Sequence, residues 1–117
     1  MIEELVARVF HARDVSHLAH WATSSYSQHM ALGDFYDDVI DALDAIVEAH
    51  QADQMLGDVK RIAAAPPKNM VNYLDTEVEW IKEHRDEIAD GCSAIANLID
   101  ALTEVYLKTI YKLDRLK

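Results

Sequence analysis

The segment DFYDDVIDALDAIVEAHQ, Asp34 to Gln51, decides the fold because it carries two stripes at once. Tyr36, Ile40, Leu43 and Val47 recur at steps of four, three and four, the spacing of a helix that buries one seam in a bundle. Asp37, Asp41, Asp44 and Glu48 recur at the same steps and line a second face of the same helix.

Working outward, Ile2, Leu5, Val6, Val9, Phe10, Leu18 and Trp21 keep near-helical period and predict a first helix over 2–23. The polar run Thr23-Ser24-Ser25-Tyr26-Ser27-Gln28, followed by Gly33-Asp34, predicts a loop or kink before a second helix over 34–51, with Asp34 as its cap. Gly57, Ala63 to Ala65 and Pro66-Pro67 predict a long crossover from 52 to 68 with room for one short helix. A third helix follows over 69–89, burying Leu74, Val78, Ile81 and Ile88, and Asp90-Gly91 stops it. The stripe Ile95, Leu98, Ile99, Leu102, Val105, Tyr106, Ile110 and Leu113 predicts a fourth over 92–115, with Lys108, Lys112, Arg115 and Lys117 at the negative end of its dipole. The expected core joins Ile40, Leu43, Val47, Val78, Ile81, Leu98, Leu102 and Val105.

The fold class is therefore all-α, a four-helix bundle in one domain over 1–117; half the residues are hydrophobic, enough for one core. Short connections flanking one long crossover are the connectivity of ferritin-like bundles, in which the second and third helices run parallel. Twenty-one acidic against eleven basic residues leave a formal charge of −10, which argues against direct nucleic-acid binding. No stretch approaches the ~20 apolar residues of a membrane span, and Met1-Ile2-Glu3-Glu4 does not open a signal peptide, so a cytoplasmic location is expected. Cys92 reads as a small core residue.

Stacked carboxylates on one helix face repel by roughly 0.2–0.5 kcal/mol per pair, and a cation is one way to offset that; a solvated acidic face is the other reading. Histidine favours the first. His17 and His20 share a face of the first helix, and His29 precedes the second. Imidazole with carboxylate suits iron, manganese or zinc. His11, His50 and His84 lack such company and read as surface or interface residues.

The order His20-Trp21, then His29, then Asp44-x-x-x-Glu48 resembles the site of the Dps miniferritins, where a His-Trp pair and a second His precede an Asp-x-x-x-Glu pair. His29 stands fifteen residues before Asp44 and nineteen before Glu48, in register with that family. Arg13 to Glu48, and Arg85-Asp86-Glu87-Ile88 with the helix after it, also look similar to small ferritin-like proteins of bacteriophages, which would place the chain in the host cytoplasm. The chain departs from the miniferritins in three ways. The step from His20 to His29 is nine residues, shorter than theirs; Gly33 stands where they usually carry a carboxylate; and the basic N-terminal arm with which some of them hold DNA has no counterpart.

The resemblance implies a homo-oligomer, a two-fold dimer at least, with residues of the first two helices in its interface. His20 and His29 of one chain would face Asp44 and Glu48 of its mate around Fe²⁺, with His17, Asp37 and Trp21 beside the ion. Ferroxidase activity and iron sequestration would follow. Two other readings stand beside this one, and the first has no use for His17, His20 and His29. One is a non-enzymatic acidic protein that binds a basic host protein, as a DNA mimic does; the other is a ferritin-like bundle whose metal site has decayed.

Overall fold

The computed structural model describes residues 1–117 and holds four helices and no strand: α1 (Ile2–Ala22), α2 (Tyr26–Gln51), α3 (Met70–Ala89) and α4 (Ser93–Arg115). No helix is long and apolar enough to cross a membrane.

α2 begins eight residues before the expected Asp34, since Tyr26 already lies inside it. Ser25 is the reason: its Oγ accepts a hydrogen bond from the Gln28 amide at 3.3 Å, satisfying a donor that the helix start leaves unpaired. The polar run thus starts the helix instead of interrupting it. Asp34 is no cap; it sits exposed on α2, 3.7 Å from Lys112 Nζ of α4. α3 is capped by Asn69, whose side chain accepts from the Asn72 amide at 3.0 Å. The α3–α4 turn passes through Asp90 at φ 48° and Gly91 at φ 80°, the left-handed region that ends many helices. Cys92 caps α4 and is exposed, not buried: it lies outside the helix on the solvent side of the turn.

Contacts fix the directions. Arg8 meets Glu77 and His11 meets Tyr73, so α1 and α3 are antiparallel. Asp34 opposite Lys112, with Phe35 edge-on to Tyr106 at 5.1 Å, makes α2 and α4 antiparallel. Arg85 clasps Asp100 through two bonds of 2.6 and 2.9 Å, tying α3 to α4 beside their turn. α1 packs on α2 and α3, α4 packs on α2 and α3, and the backbones of the diagonal pairs stay farther apart.

The crossover returns along the whole of α1. The Gly57 amide donates to Glu3 Oε2 at 3.1 Å, and Arg61 donates to Asp14 at 3.2 Å. Pro66 and Pro67 reach the level of Ala19 and Ala22. α2 and α3 therefore run parallel, and the expected short helix is absent from the crossover.

The core is centred one residue away from the expected seam on α2. Phe35, Val39, Leu43 and Ile46 are buried, whereas Ile40 and Val47 pack against the core only in part. Both rows are apolar because α2 has two neighbours, α4 and α1, and a 100° step separates the faces that meet them. Leu43, Val78, Ile81 and Leu102 are buried as expected, with Leu98 and Val105 at the margin.

Candidate functional site

Five rings gather where the end of α1 meets the start of α2. His20 and His29 stack with centroids 3.6 Å apart and planes 18° from parallel. Each ring also bonds the other residue's backbone: His20 Nδ1 donates to the His29 carbonyl at 2.6 Å, and His29 Nδ1 donates to the His20 carbonyl at 2.8 Å. His20 lies in the last turn of α1, where carbonyls have no intrahelical partner, so the His29 ring satisfies an orphaned group.

Gly33 makes the approach feasible. A Cβ there would stand 3.1 Å from His20 Cε1 and 3.3 Å from Nδ1. The position where the resemblance expected a carboxylate is thus filled by the His20 imidazole.

His17 stacks on Tyr36 at 4.1 Å and 14°, and Trp21 leans on His17 at 4.2 Å. His20 is edge-on to Tyr36 at 5.4 Å. Tyr36 read as a core residue in the sequence; here it is the ring that links His17 to His20. Trp21 remains 67% exposed, so it is a surface aromatic over His17.

Because a carbonyl only accepts, both neutral imidazoles carry their proton on Nδ1, and each Nε2 keeps its lone pair with no protein partner. That is the arrangement in which a second hydrogen bond orients a metal-ligating histidine. The stack limits how it can be used. Nearly parallel planes 3.6 Å apart do not meet within the ~2 Å of a metal–nitrogen bond. One ion shared by both rings requires one ring to turn out of the stack and leave its carbonyl.

Asp37, Asp41, Asp44 and Glu48 are exposed on the side of α2 away from the core, and none forms an ion pair. Fifteen residues from His29 to Asp44 span roughly 22 Å of helix axis, so the two halves of the expected site lie far apart in one chain. No group of three His, Cys, Asp or Glu within the chain could hold a metal ion. A groove of about 560 Å³ at the bundle end, beside Leu32, Met70 and Leu113, includes none of these residues.

A second polar constellation, absent from the sequence reading, joins α1 to α3. Arg8 donates to Glu77 at 2.7 Å and lies 4.5 Å over the Trp80 ring. His11 and Tyr73 meet at 2.6 Å. Glu77 is only 5% exposed, and burial pushes its carboxyl up while the Arg8 guanidinium beside it opposes the rise. Tyr106, fully buried on α4, has a hydroxyl with no hydrogen-bond partner, and burial raises its phenol well above the ordinary range. Nothing local in the sequence marks the Arg8–Glu77 pair, whose members stand 69 residues apart. His84, expected at the surface, stacks on Trp80 at 4.2 Å and donates from Nδ1 to the Trp80 carbonyl at 2.7 Å.

Comparison with known proteins bears on most of this geometry. No curated protein and no solved structure matches the chain. The Family of unknown function (DUF5856) matches residues 20–113, a span that opens on His20 and takes in His29, Gly33, the α2 carboxylates, the crossover, α3 and nearly all of α4; the chain belongs to that family.

Proposed function

We propose that the protein is a ferritin-like, metal-binding bundle that works as a homo-oligomer, with Fe²⁺ as the ion it takes up. In this reading the Nε2 atoms of His20 and His29 on one chain and the carboxylates of Asp44 and Glu48 on a second supply the donors. The observation that carries it is the double Nδ1 commitment. Two half-buried imidazoles, each committed through Nδ1 to a backbone carbonyl, leave both Nε2 atoms without a protein partner, and both reach one ion once one ring turns out of the stack and gives up its carbonyl. The single long crossover with parallel α2 and α3 supports the ferritin-like part.

Imidazole and carboxylate together suit iron, and manganese and zinc accept the same donors. Bound iron supplies one-electron chemistry toward oxygen or peroxide, the basis of a ferroxidase. The chain's own contribution is to orient two neutral imidazoles and to present unpaired carboxylates. His17 and Tyr36 stand edge-on to His20, and Trp21 leans on His17. Uptake weakens as pH falls through the histidine range, because a protonated imidazole does not ligate.

The test is anaerobic Fe²⁺ titration of protein purified without a histidine tag, together with its mass in solution. Binding by a dimer or larger oligomer is expected, and it should be lost when Asp44→Asn and Glu48→Gln are combined. A monomer, or equal binding by the double variant, sinks the reading.

One observation favours a second reading, an acidic binding module for a basic protein. Trp21, Tyr26 and Met30 are 67%, 76% and 46% exposed at the histidine end of the same two helices. Exposed aromatics at one end of a helix that carries unpaired carboxylates farther along suit a basic partner that also carries apolar groups. A salt-sensitive complex with such a partner, unaffected by chelator, would favour it over metal uptake.

A further inference from the structure

The contact between Tyr73 and His11 belongs to the seam between α1 and α3 and shares no residue with the proposed metal donors. The heteroatoms are 2.6 Å apart, with the rings 62° from parallel. Burial first, and the Glu77 carboxylate second, push the Tyr73 phenol above the ordinary tyrosine range, so it keeps its proton. Nδ1 of His11 is the one hydrogen-bond partner that hydroxyl has, and a half-buried O–H needs an acceptor; Tyr73 therefore donates and His11 accepts.

Among the five tyrosines, Tyr73 alone is hydrogen-bonded to a base. Tyr106 is completely buried with an unpartnered hydroxyl, whereas Tyr26 and Tyr111 stand in solvent. A phenol that loses an electron becomes a strong acid, and whether it can shed its proton inside a protein depends on a base already in contact. The interior phenol Tyr106 lacks one, and Tyr73 has one at the end of a short bond.

We propose that Tyr73 is a redox-active tyrosine that yields one electron to a peroxide-derived radical or similar one-electron oxidant while its proton passes to His11. The oxidant is reduced by that electron. The O–H bond of Tyr73 breaks and the Nδ1–H bond of His11 forms, leaving a neutral phenoxyl radical and an imidazolium. Return of one electron and the same proton restores the pair. Glu77 stands four residues along α3, one helical turn from Tyr73. Arg8, bonded to Glu77 and stacked over Trp80, fills the seam next to it.

Flash photo-oxidation of the full chain by tris(bipyridine)ruthenium with persulfate tests this, read by the tyrosyl electron paramagnetic resonance signal and its optical rise in H₂O and D₂O. The wild type should give a tyrosyl signal whose formation slows in D₂O. Tyr73→Phe should remove most of that signal, and Tyr106→Phe should leave it intact. His11→Phe should lower the yield several-fold and abolish the isotope effect. His11→Gln, whose amide can hold the phenol but takes up no proton, should behave the same while keeping helical circular dichroism. A wild-type signal in Tyr73→Phe, or unchanged yield and isotope effect in both His11 variants, overturns the proposal.

Discussion

α1 meets its two neighbours in opposite ways. Toward α2, its histidine bonds to backbone: the rings of His20 and His29 each satisfy the other's carbonyl and leave Nε2 free. Toward α3, side chain bonds to side chain: Arg8 closes on Glu77 and His11 closes on Tyr73. Backbone anchoring fixes a ring while keeping part of it available to a ligand, which is why a binding reading attaches to the α2 side. Mutual pairing turns the groups it joins toward each other, so the α3 side holds a helix in place and fixes the contact between Tyr73 and His11.

The sharpest way to break this contrast is Arg8→Met. It leaves the Glu77 carboxylate buried without its partner, and removing one member of a buried pair costs about 3–5 kcal/mol. Urea unfolding should show the loss, and Glu77→Gln in the same chain should recover most of it. The pH dependence has a definite sign. Burial raises the folded carboxyl above its unfolded value, so the native state binds that proton more tightly. Its contribution is greatest below the unfolded carboxylate range, about pH 4.3, and declines as pH rises through the raised folded value. The Arg8→Met deficit should accordingly be smaller at about pH 5 than at about pH 8. A deficit that grows on acidification would mean Glu77 is not buried in the folded chain.

On the α2 side the effects are smaller. His20→Ala removes one hydrogen bond, from its ring to the His29 carbonyl, worth about 0.5–1.5 kcal/mol net, and a thermal melt should register a loss of that size. A double-mutant cycle with His29→Ala should return a coupling of about 1 kcal/mol, because the two rings stack on each other. Additivity would show that the stack does not form.

Gly33→Ala sharpens the comparison further. Elsewhere in a helix the change gains about 1 kcal/mol. Here the new Cβ stands 3.1 Å from the His20 ring, so the gain should vanish by urea melt. Full stabilisation would place the ring elsewhere. Smallest of all, Asp44→Asn with Glu48→Gln should alter stability by no more than about 0.5 kcal/mol, since the carboxylates are exposed and unpaired. A larger loss would give the stripe a structural role.

The sequence by itself determined the helix count, the long crossover, seven of the eight helix ends to within a residue, and the acidic stripe. These are short-range properties: period, caps and prolines act within a few residues. It also identified His20 and His29 as companions, from spacing and resemblance. Only the tertiary structure decided how they meet, because reciprocal bonding depends on the angle between α1 and α2 and on the missing Cβ of Gly33. The start of α2 was misread because Ser and Gly favour a cap and a break about equally, and the packed His20 ring settles which. The one-residue shift of the α2 seam has a similar origin, since two apolar rows on one helix do not say which neighbour each will face. The α1–α3 seam left no trace in the sequence, because charge pairing between residues 8 and 77 exists only once the crossover has carried α3 back along α1.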